Sequence, residues 1–255
     1  MEKILECTDL TKRFSYNKKS SFAAVDGVSL SIFKGETYGL VGESGSGKST
    51  LANMIASLEK ADSGQILFKG EEIPLHNREK MLNFRKEMQI IFQAPYATLN
   101  PRHKIGFIIE EGLKIHKIGS SQKERLGLVN EMRTLIGLPP DSLEKFPSEL
   151  SGGQRQRVAI ASAMILRPEF VICDECVSSL DVLIQAQILN LLKGMQKSLN
   201  LTYLFISHNL NVVVYMADRI GVMYHGKIVE EKPTNELLKN PEHQYTKKLL
   251  QAVNF

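Results

Sequence analysis

The sequence of 255 residues contains no apolar run long enough to cross a membrane. Its longest stretch without Lys, Arg, Asp or Glu covers residues 198–217 and includes Asn200, Asn209 and Asn211, which argues against a bilayer span. Residues 1–6 carry two glutamates where a secretion signal would have a basic and then an apolar segment. We therefore expect a cytoplasmic chain without a signal peptide or a transmembrane helix.

Cysteine is scarce, and a strong excess of charge of one sign is missing. Three cysteines cannot all pair, so no disulfide framework is expected. The net charge is +4 without a concentrated basic run, which is untypical of a nucleic-acid-binding protein. The chain has no evident repeat, and its 43% hydrophobic and 24% charged residues are typical of a globular protein.

The order of apolar and polar segments predicts an α/β protein. The first third consists of strands with a polar break at residues 15–21, and prolines separate helical segments between residues 94 and 149. Strands and helices then alternate, which indicates a parallel sheet covered on both faces. The predicted strands are 4–10, 24–33, 38–41, 65–68, 88–92, 170–173 and 202–206, with a hairpin over 220–229. The predicted helices are 48–58, 105–118, 124–136, 153–166, 182–199 and 210–217.

Residues 42–50, Gly-Glu-Ser-Gly-Ser-Gly-Lys-Ser-Thr, fit the pattern G-x-x-x-x-G-K-[ST] between a predicted strand and a predicted helix. Glycines allow backbone N–H groups to surround phosphate oxygens, Lys48 neutralises the β- and γ-phosphates, and the Ser49 hydroxyl can bind Mg²⁺. A chance match has a frequency on the order of one in a hundred. The loop predicts nucleoside triphosphate binding by Gly42, Glu43, Ser44, Gly45, Ser46, Gly47, Lys48, Ser49 and Thr50.

Two classes of phosphate-loop protein fit the sequence less well. A GTPase would need a guanine-reading N/T-K-x-D after a strand, and the sequence has none. A small-molecule kinase would leave the motif at residues 150–157 unexplained.

Residues 173–176, Cys-Asp-Glu-Cys, raise the alternatives of a redox dithiol or half a zinc site. The two intervening carboxylates disfavour thiolates, and zinc requires about four ligands, whereas Cys7 is the only other cysteine. We interpret Cys173 as an apolar residue of a buried strand, and Asp174 and Glu175 as the functional pair.

Residues 150–157, Leu-Ser-Gly-Gly-Gln-Arg-Gln-Arg, resemble the signature motif of ABC-type ATPases, and further motifs of that family occur in order around it. Gln93 matches the Q-loop, residues 170–175 the Walker B strand with its catalytic acid, residues 178–181 the D-loop, and His208 the switch histidine. The resemblance covers essentially the whole chain. One departure is Cys176-Val177, where the family commonly has Pro-Thr or Pro-Val.

The resemblance implies a P-loop NTPase (RecA-like) core with a mainly parallel sheet, an N-terminal antiparallel β-subdomain and an inserted α-helical subdomain. The core and β-subdomain would comprise residues 1–93 and 156–255, and the helical signature subdomain residues 94–155.

The resemblance also implies a role for each matched residue in ATP hydrolysis. Asp174, Ser49 and Gln93 would hold Mg²⁺, and Lys48 would bind phosphate. Glu175 would accept the proton of the attacking water or orient it, and His208 would contact the γ-phosphate. Gln93 would also link the nucleotide to the helical insertion.

Further contacts with ATP are implied at other parts of the chain. Phe14 or Tyr16 would stack on adenine, and the choice between them stays open. The signature motif would complete the site of a second chain in a head-to-tail pair, because it opens a helix whose N–H groups suit phosphate. The D-loop residue Asp181 would also bind the nucleotide. The signature residues are Ser151, Gly152, Gly153 and Gln154.

Three segments, 94–102, 184–190 and 243–249, resemble the peptide and nickel importer branch of the family. They imply the ATPase subunit of an importer for oligopeptides, dipeptides, nickel or metal chelates, peripheral to the cytoplasmic face of the cell membrane. Its partners would be integral-membrane permease subunits, a second ABC ATPase, with a homologous heterodimer favoured over a homodimer, and indirectly an extracytoplasmic substrate-binding protein, but no nucleic acid.

Two alternatives stay open, a soluble ABC ATPase of translation or DNA repair and the ATPase of an ABC exporter. The first class usually has tandem cassettes, a coiled-coil insertion or basic arms, and the sequence contains none of these. The second class is disfavoured by the importer-like residues 96–102 and 243–249.

Overall fold

The computed structural model describes residues 2–17, 20–93 and 98–251, without the side chains of residues 16, 17 and 20. The side chain of Tyr16 and residues 94–97 of the importer-like segment therefore lie outside the described residues.

The N-terminal third forms an antiparallel sheet with the strand order β2-β1-β4-β5. Its long hairpin joins β1, Lys3–Asn17, to β2, Ser20–Phe33, and the short strands β4, Ser63–Phe68, and β5, Glu71–Glu72, complete it. The predicted break at residues 15–21 was wrong, because Ser15 pairs with Ser21 and the hairpin ladder continues through the polar segment. Backbone hydrogen bonds extend an exposed hairpin regardless of whether its side chains are polar.

The second sheet has the strand order β10-β9-β3-β8-β7-β6, and only β10 is antiparallel to its neighbour. Its strands are β3, Thr37–Val41, β6, Met88–Ile91, β7, Phe170–Asp174, β8, Thr202–Ser207, β9, Arg219–Tyr224, and β10, Lys227–Pro233. Every residue of β3, β7 and β8 is buried. The predicted parallel sheet and the predicted hairpin of β9 and β10 are confirmed.

Nine α-helices occur within the described ranges. They are α1, Lys48–Ile55, α2, Arg78–Glu87, α3, Ile105–Ile115, α4, Gln122–Leu135, α5, Gly152–Met164, α6, Val182–Leu199, α7, Leu210–Met216, α8, Thr234–Lys239, and α9, Gln244–Gln251. The predicted bounds of α6 are confirmed at both ends, whereas α2, α8 and α9 were not predicted. Helix α2 buries Phe84 alone, so it has little apolar periodicity to reveal it.

The parallel sheet separates two hydrophobic cores, as expected for a sheet covered on both faces. In β7, Val171 and Cys173 face the core formed with α3 to α6, whereas Phe170 and Ile172 face the core formed with α1 and the antiparallel sheet. Cys173 is fully buried, which confirms it as a core residue of the strand.

Helices α3, α4 and most of the first turn of α5 lie within the segment predicted as a helical subdomain. Helix α5 continues past the predicted limit at residue 155. The domain limits stay a prediction. Within the described ranges, no helix combines the length and the apolar composition that a bilayer span requires.

Candidate nucleotide site

The predicted site residues come together at one edge of the parallel sheet. Val41 pairs with Ser207 and Asp174 pairs with Ile206, so β3, β7 and β8 end side by side. The phosphate-loop motif follows β3, Glu175 follows β7, and His208 follows β8. Ligands of open α/β sheets bind outside these carboxyl ends.

Two glycines of the loop stand where no larger side chain fits. A Cβ atom at Gly42 would lie 2.1 Å from the Met223 carbonyl oxygen, and one at Gly47 would lie 2.0 Å from the Ala24 carbonyl oxygen. Gly47 also has a φ of +106°, which favours glycine. The loop is therefore closely seated on β9 and β2.

Lys48 is only 4% exposed and extends its ammonium group back over the loop. Its Nζ lies 2.7 Å from the Gly42 carbonyl and 2.8 Å from the Glu43 carbonyl. Burial lowers the pKa of Lys48, and the carboxylates of Glu175 and Asp174 oppose that shift. A cation held in this way is placed to neutralise phosphate.

Ser49 and Asp174 form a pair of oxygen donors beneath the loop. The Ser49 hydroxyl donates to Asp174 Oδ1 at 3.0 Å. Burial raises the pKa of Asp174, and the hydrogen bond from Ser49 opposes the shift. Hydroxyl and carboxylate oxygens are ligands that suit Mg²⁺.

The donor set fits Mg²⁺ only if the nucleotide contributes further ligands. The described residues contain no cluster of three or more His, Cys, Asp and Glu side chains that could hold a metal ion. Mg²⁺ is ordinarily bound in proteins through one or two carboxylates together with substrate phosphates, so this sparse donor set is compatible with it.

Glu175 is the centre of a cluster that joins three strand ends. Its Oε2 accepts a hydrogen bond from Gln93 Nε2 at 3.1 Å and lies 3.1 Å from His208 Nδ1. Gln93 Nε2 also lies 3.2 Å from the hydroxyl of Ser178, a residue that the sequence assigned to the D-loop without a role in the site. The backbone of Glu175 has a φ of +48°, which is costly for a non-glycine residue and often occurs at functional sites.

Gln93 contacts Glu175 in this cluster rather than the Ser49 and Asp174 pair. Its predicted metal contact therefore stays a prediction, and its contact with Glu175 is a feature that the sequence did not predict.

A cleft of about 960 Å³ opens over these groups. Besides the loop, Gln93, Glu175 and His208, it is lined by Tyr245, Lys248 and Leu249 of α9. Nothing in the sequence indicates that α9 lies at the site, although residues 243–249 resemble the importer branch.

The signature motif has a structural role at the start of α5. Ser151 accepts a hydrogen bond from the Gln154 N–H at 3.3 Å, and the Gln154 side chain accepts one from the Ser151 N–H at 3.0 Å, which together form a capping box. A Cβ atom at Gly153 would lie 2.6 Å from Ile184 of α6, so the motif is closely packed against that helix.

Asp181 caps α6, because its Oδ1 accepts the Ile184 N–H at 3.0 Å. Among the described residues that line the cleft, none belongs to the signature motif or is Asp181. The signature and the D-loop therefore meet each other at the starts of α5 and α6, and they are not brought into the cleft of their own chain.

Phe14 lies on the hairpin of β1 and β2 and is 36% exposed. It pairs with Phe22 across the ladder, with ring centroids 6.0 Å apart. Phe22 precedes Ala24 by two residues on the same strand, and the Ala24 carbonyl faces Gly47 of the loop. The aromatic pair is thus near the loop, and Phe22 is a neighbour that the sequence did not single out.

The cysteine pair is enclosed by protein. Cys173 and Cys176 are both free and buried. A hydrogen bond with Cys176 and burial hold the pKa of Cys173 well above its ordinary value. These conditions oppose the thiolate that redox or metal chemistry requires.

The site consists of a glycine loop between a buried parallel strand and a helix, a buried lysine of that loop, and the two acids Asp174 and Glu175 at the end of a nearby strand. These features define a phosphate-loop NTPase site. The model of the family described as ABC transporter matches residues 25–178. The chain belongs to the ABC transporter family, and it is an ATPase that binds ATP.

Curated relatives match along nearly the whole chain. The oligopeptide transport ATP-binding protein OppF of Bacillus subtilis is 51% identical over 99% of this chain and 83% of its own length. The dipeptide transport ATP-binding protein DppF of Lactococcus lactis is 44% identical over 99% of this chain and 81% of its own length.

Solved ATP-binding cassettes have the same fold. The dimeric cassette MJ0796 in a post-hydrolysis state bound to ADP and Pi has a TM-score of 0.81 and 27% identity, covering 90% of this chain and 98% of that chain. The cassette cbiO1 of Clostridium perfringens has a TM-score of 0.81 and 28% identity, covering 94% of this chain and 92% of that chain. The predicted fold class is confirmed.

Proposed function

We propose that this chain is the ATP-hydrolysing subunit of an importer that takes up oligopeptides or dipeptides. The observation that carries hydrolysis is the Glu175 carboxylate held between Gln93 and His208 beside the phosphate loop. The relatives described above, which are named for oligopeptide and dipeptide transport, support the cargo and favour it over nickel or metal chelates. None of them favours an exporter or an ATPase of translation or DNA repair.

The phosphate loop and Lys48 would bind the β- and γ-phosphates, with the N–H groups at the start of α1 directed at the same oxygens. Ser49 and Asp174 would hold Mg²⁺, which would neutralise charge that develops on the phosphates. Phe14 or Tyr16 would stack on adenine.

Glu175 would orient the attacking water and accept its proton, since its carboxylate lines the same cleft as the phosphate loop. His208 would contact the γ-phosphate and hold the water in line. Gln93 would sense the nucleotide, because it joins Glu175 to the segment that leads into α3.

A second ABC ATPase would complete the site. The signature residues and Asp181 start helices away from the cleft of their own chain, so they would contribute to the ATP of a head-to-tail partner. A homologous but different partner chain is favoured over a second copy. The pair would close on ATP and open after hydrolysis, which converts chemistry into motion.

The pair would be bound at the cytoplasmic face of the cell membrane to integral-membrane permease subunits, and an extracytoplasmic binding protein would deliver the peptide to them. Closing and opening of the ATPase pair would then drive the permease between its two orientations.

The test is to purify the chain with the membrane subunits of its transporter and to measure ATP hydrolysis in lipid nanodiscs. A peptide-loaded binding protein should stimulate hydrolysis, whereas the same protein without peptide should do so less. Stimulation by a nickel-loaded binding protein alone would contradict the cargo. Hydrolysis that ignores the membrane subunits but responds to ribosomes or DNA would contradict the transport function.

A further inference from the structure

The C-terminal helix α9 is bonded directly to the phosphate loop. The hydroxyl oxygen of Tyr245 accepts a hydrogen bond from the Glu43 N–H at 2.9 Å. Tyr245 is only 8% exposed, so this contact is largely shielded from water. The assigned roles of the phosphate-loop residues do not account for it.

Tyr245 acts on the same peptide group that holds the loop lysine. The Glu43 N–H belongs to the peptide between Gly42 and Glu43, and the carbonyl of that peptide is the Gly42 oxygen. Lys48 Nζ donates to this carbonyl at 2.7 Å. A hydrogen bond on one side of a planar peptide therefore fixes the direction of the acceptor on its other side.

Tyr245 is held in place both by its ring and by the backbone around it. It stacks on Tyr224 at the end of β9, with centroids 4.2 Å apart and planes 27° apart. The tail before α9 is tied to β10, because the buried Glu230 carboxylate accepts the N–H groups of Glu242 at 2.8 Å and His243 at 3.0 Å. The Tyr245 N–H in turn lies 3.2 Å from His243 Nδ1.

The hairpin of β9 and β10 holds the loop at a second point. The N–H of Gly226, in the turn of the hairpin, donates to the Ser46 carbonyl at 3.0 Å, and the Gly226 carbonyl accepts the Asp26 N–H at 2.9 Å. The phosphate loop is thus hydrogen-bonded to α9 at Glu43 and to the hairpin at Ser46.

We propose that Tyr245 is a positioning residue for ATP binding, because its hydroxyl fixes the peptide of Gly42 and Glu43, and with it the Lys48 ammonium, before phosphate arrives. Binding groups that are already oriented lose less freedom when the ligand binds, so the ligand binds more tightly. Burial raises the pKa of Tyr245, so the phenol stays neutral at physiological pH and remains compatible with its buried position.

The inference rests on ATP binding at the phosphate loop, which is part of the proposed function. It is tested by Tyr245→Phe in the full chain, because phenylalanine retains the ring that stacks on Tyr224 and removes only the hydroxyl. Loss of one such hydrogen bond should raise the dissociation constant for ATP about three- to tenfold. In the assembled transporter, KM for ATP should rise by a similar factor, while kcat at saturating ATP stays within about twofold because Glu175 and His208 are unaltered.

Tyr215→Phe is the matched control. Tyr215 is an exposed tyrosine of α7 whose hydroxyl donates to Asn190 of α6, so the same atom is removed away from the loop. ATP affinity of this variant should equal that of the parent chain. Thermal unfolding of both variants without nucleotide separates positioning from folding, and both should unfold near the parent temperature.

Three results would overturn the inference or its basis, and they are distinguishable. Parent-like ATP affinity in Tyr245→Phe would overturn it. A fall in unfolding temperature that accounts for the lost affinity would assign the hydroxyl to the fold instead. Failure of the parent chain itself to bind ATP would contradict the proposed function rather than the role of Tyr245.

Discussion

Glu175 combines a costly backbone conformation with a side chain held by two polar contacts. Its backbone has a left-handed conformation, and its carboxylate contacts Gln93 and His208, which follow two other strands. These two contacts restrict the Glu175 side chain, which in the proposed function accepts the proton of the attacking water. Its charge, more than its size, should therefore determine turnover.

The substitution Glu175→Gln separates charge from size. Loss of a general base typically lowers a rate by about 10²- to 10⁴-fold. We expect ATP hydrolysis to fall by at least about 10²-fold while ATP binding is retained, as measured by steady-state turnover and equilibrium binding. Glu131→Gln, at an exposed position of α4, should retain parent activity. Near-normal turnover of Glu175→Gln would remove Glu175 from the catalytic role.

The reactivity of the three cysteines tests whether the chain segments that contain them are buried. Burial raises the pKa of Cys7 to about 12, and Cys173 is also held above its ordinary value. Because the thiolate is the reactive form, these thiols should stay protonated and unreactive at pH 8. Iodoacetamide should leave the native chain unlabelled and add three groups after denaturation, as measured by intact mass. Rapid native labelling of Cys176 would contradict the buried strand end.

At the scale of elements, replacing glycine by alanine should have opposite effects on stability in the phosphate loop and in a helix. Gly42→Ala would place a methyl group 2.1 Å from the Met223 carbonyl oxygen, whereas Gly194 in α6 has no atom within 4 Å of its missing Cβ. Forcing extra volume into a closely packed position costs about 1–3 kcal/mol. Alanine in an open helix interior stabilises by about 0.5–1 kcal/mol relative to glycine.

We therefore expect Gly42→Ala to lower the unfolding temperature and weaken ATP binding, and Gly194→Ala to raise the unfolding temperature without changing ATP binding. Thermal denaturation with and without ATP measures both. Equal behaviour of the two variants would contradict the close seating of the loop on β9.

Much of the site follows from local sequence, because its motifs occupy strand ends that the apolar pattern reveals. Lys48, Asp174, Glu175 and His208 each follow or end a predicted strand or loop, and parallel strands bring such ends together. The hairpin through residues 15–21 was missed because its serines and lysines are typical of a break.

The Tyr245 contact could not be read from the sequence for a different reason. Tyr245 and Glu43 are 202 positions apart, and no periodicity relates a tail helix to a loop at that separation. The resemblance of residues 243–249 to the importer branch marked the segment but gave it no location. Only the packing of α9 on β9 brings the two residues together.

At the scale of the whole molecule, the chain exposes apolar side chains beside the D-loop. Val182 and Leu183, the two residues after Asp181, are 82% and 70% exposed. Neighbouring apolar residues exposed to this degree are consistent with a surface that a partner covers. Their position beside the signature motif agrees with the proposed head-to-tail pair.

The substitution Val182→Asp tests that surface without harming the fold, since an acid is favoured in the first turn of a helix. In the Glu175→Gln background with ATP, the chain should associate with its partner ATPase, and Val182→Asp should weaken this association at least about tenfold, as an unpaired interfacial charge is costly. Sedimentation of the chain alone and mixed with the partner measures it. Unchanged association would place the contact elsewhere.

The central claim is that ATP hydrolysis at this site powers peptide uptake. It is tested most directly in proteoliposomes that contain the complete transporter, with ATP supplied on the side of this chain and a radiolabelled oligopeptide with its binding protein on the other. We predict ATP-dependent accumulation of peptide with the parent chain and none above background with Glu175→Gln. Equal accumulation with both chains, or ATP hydrolysis without any movement of peptide, would contradict the account.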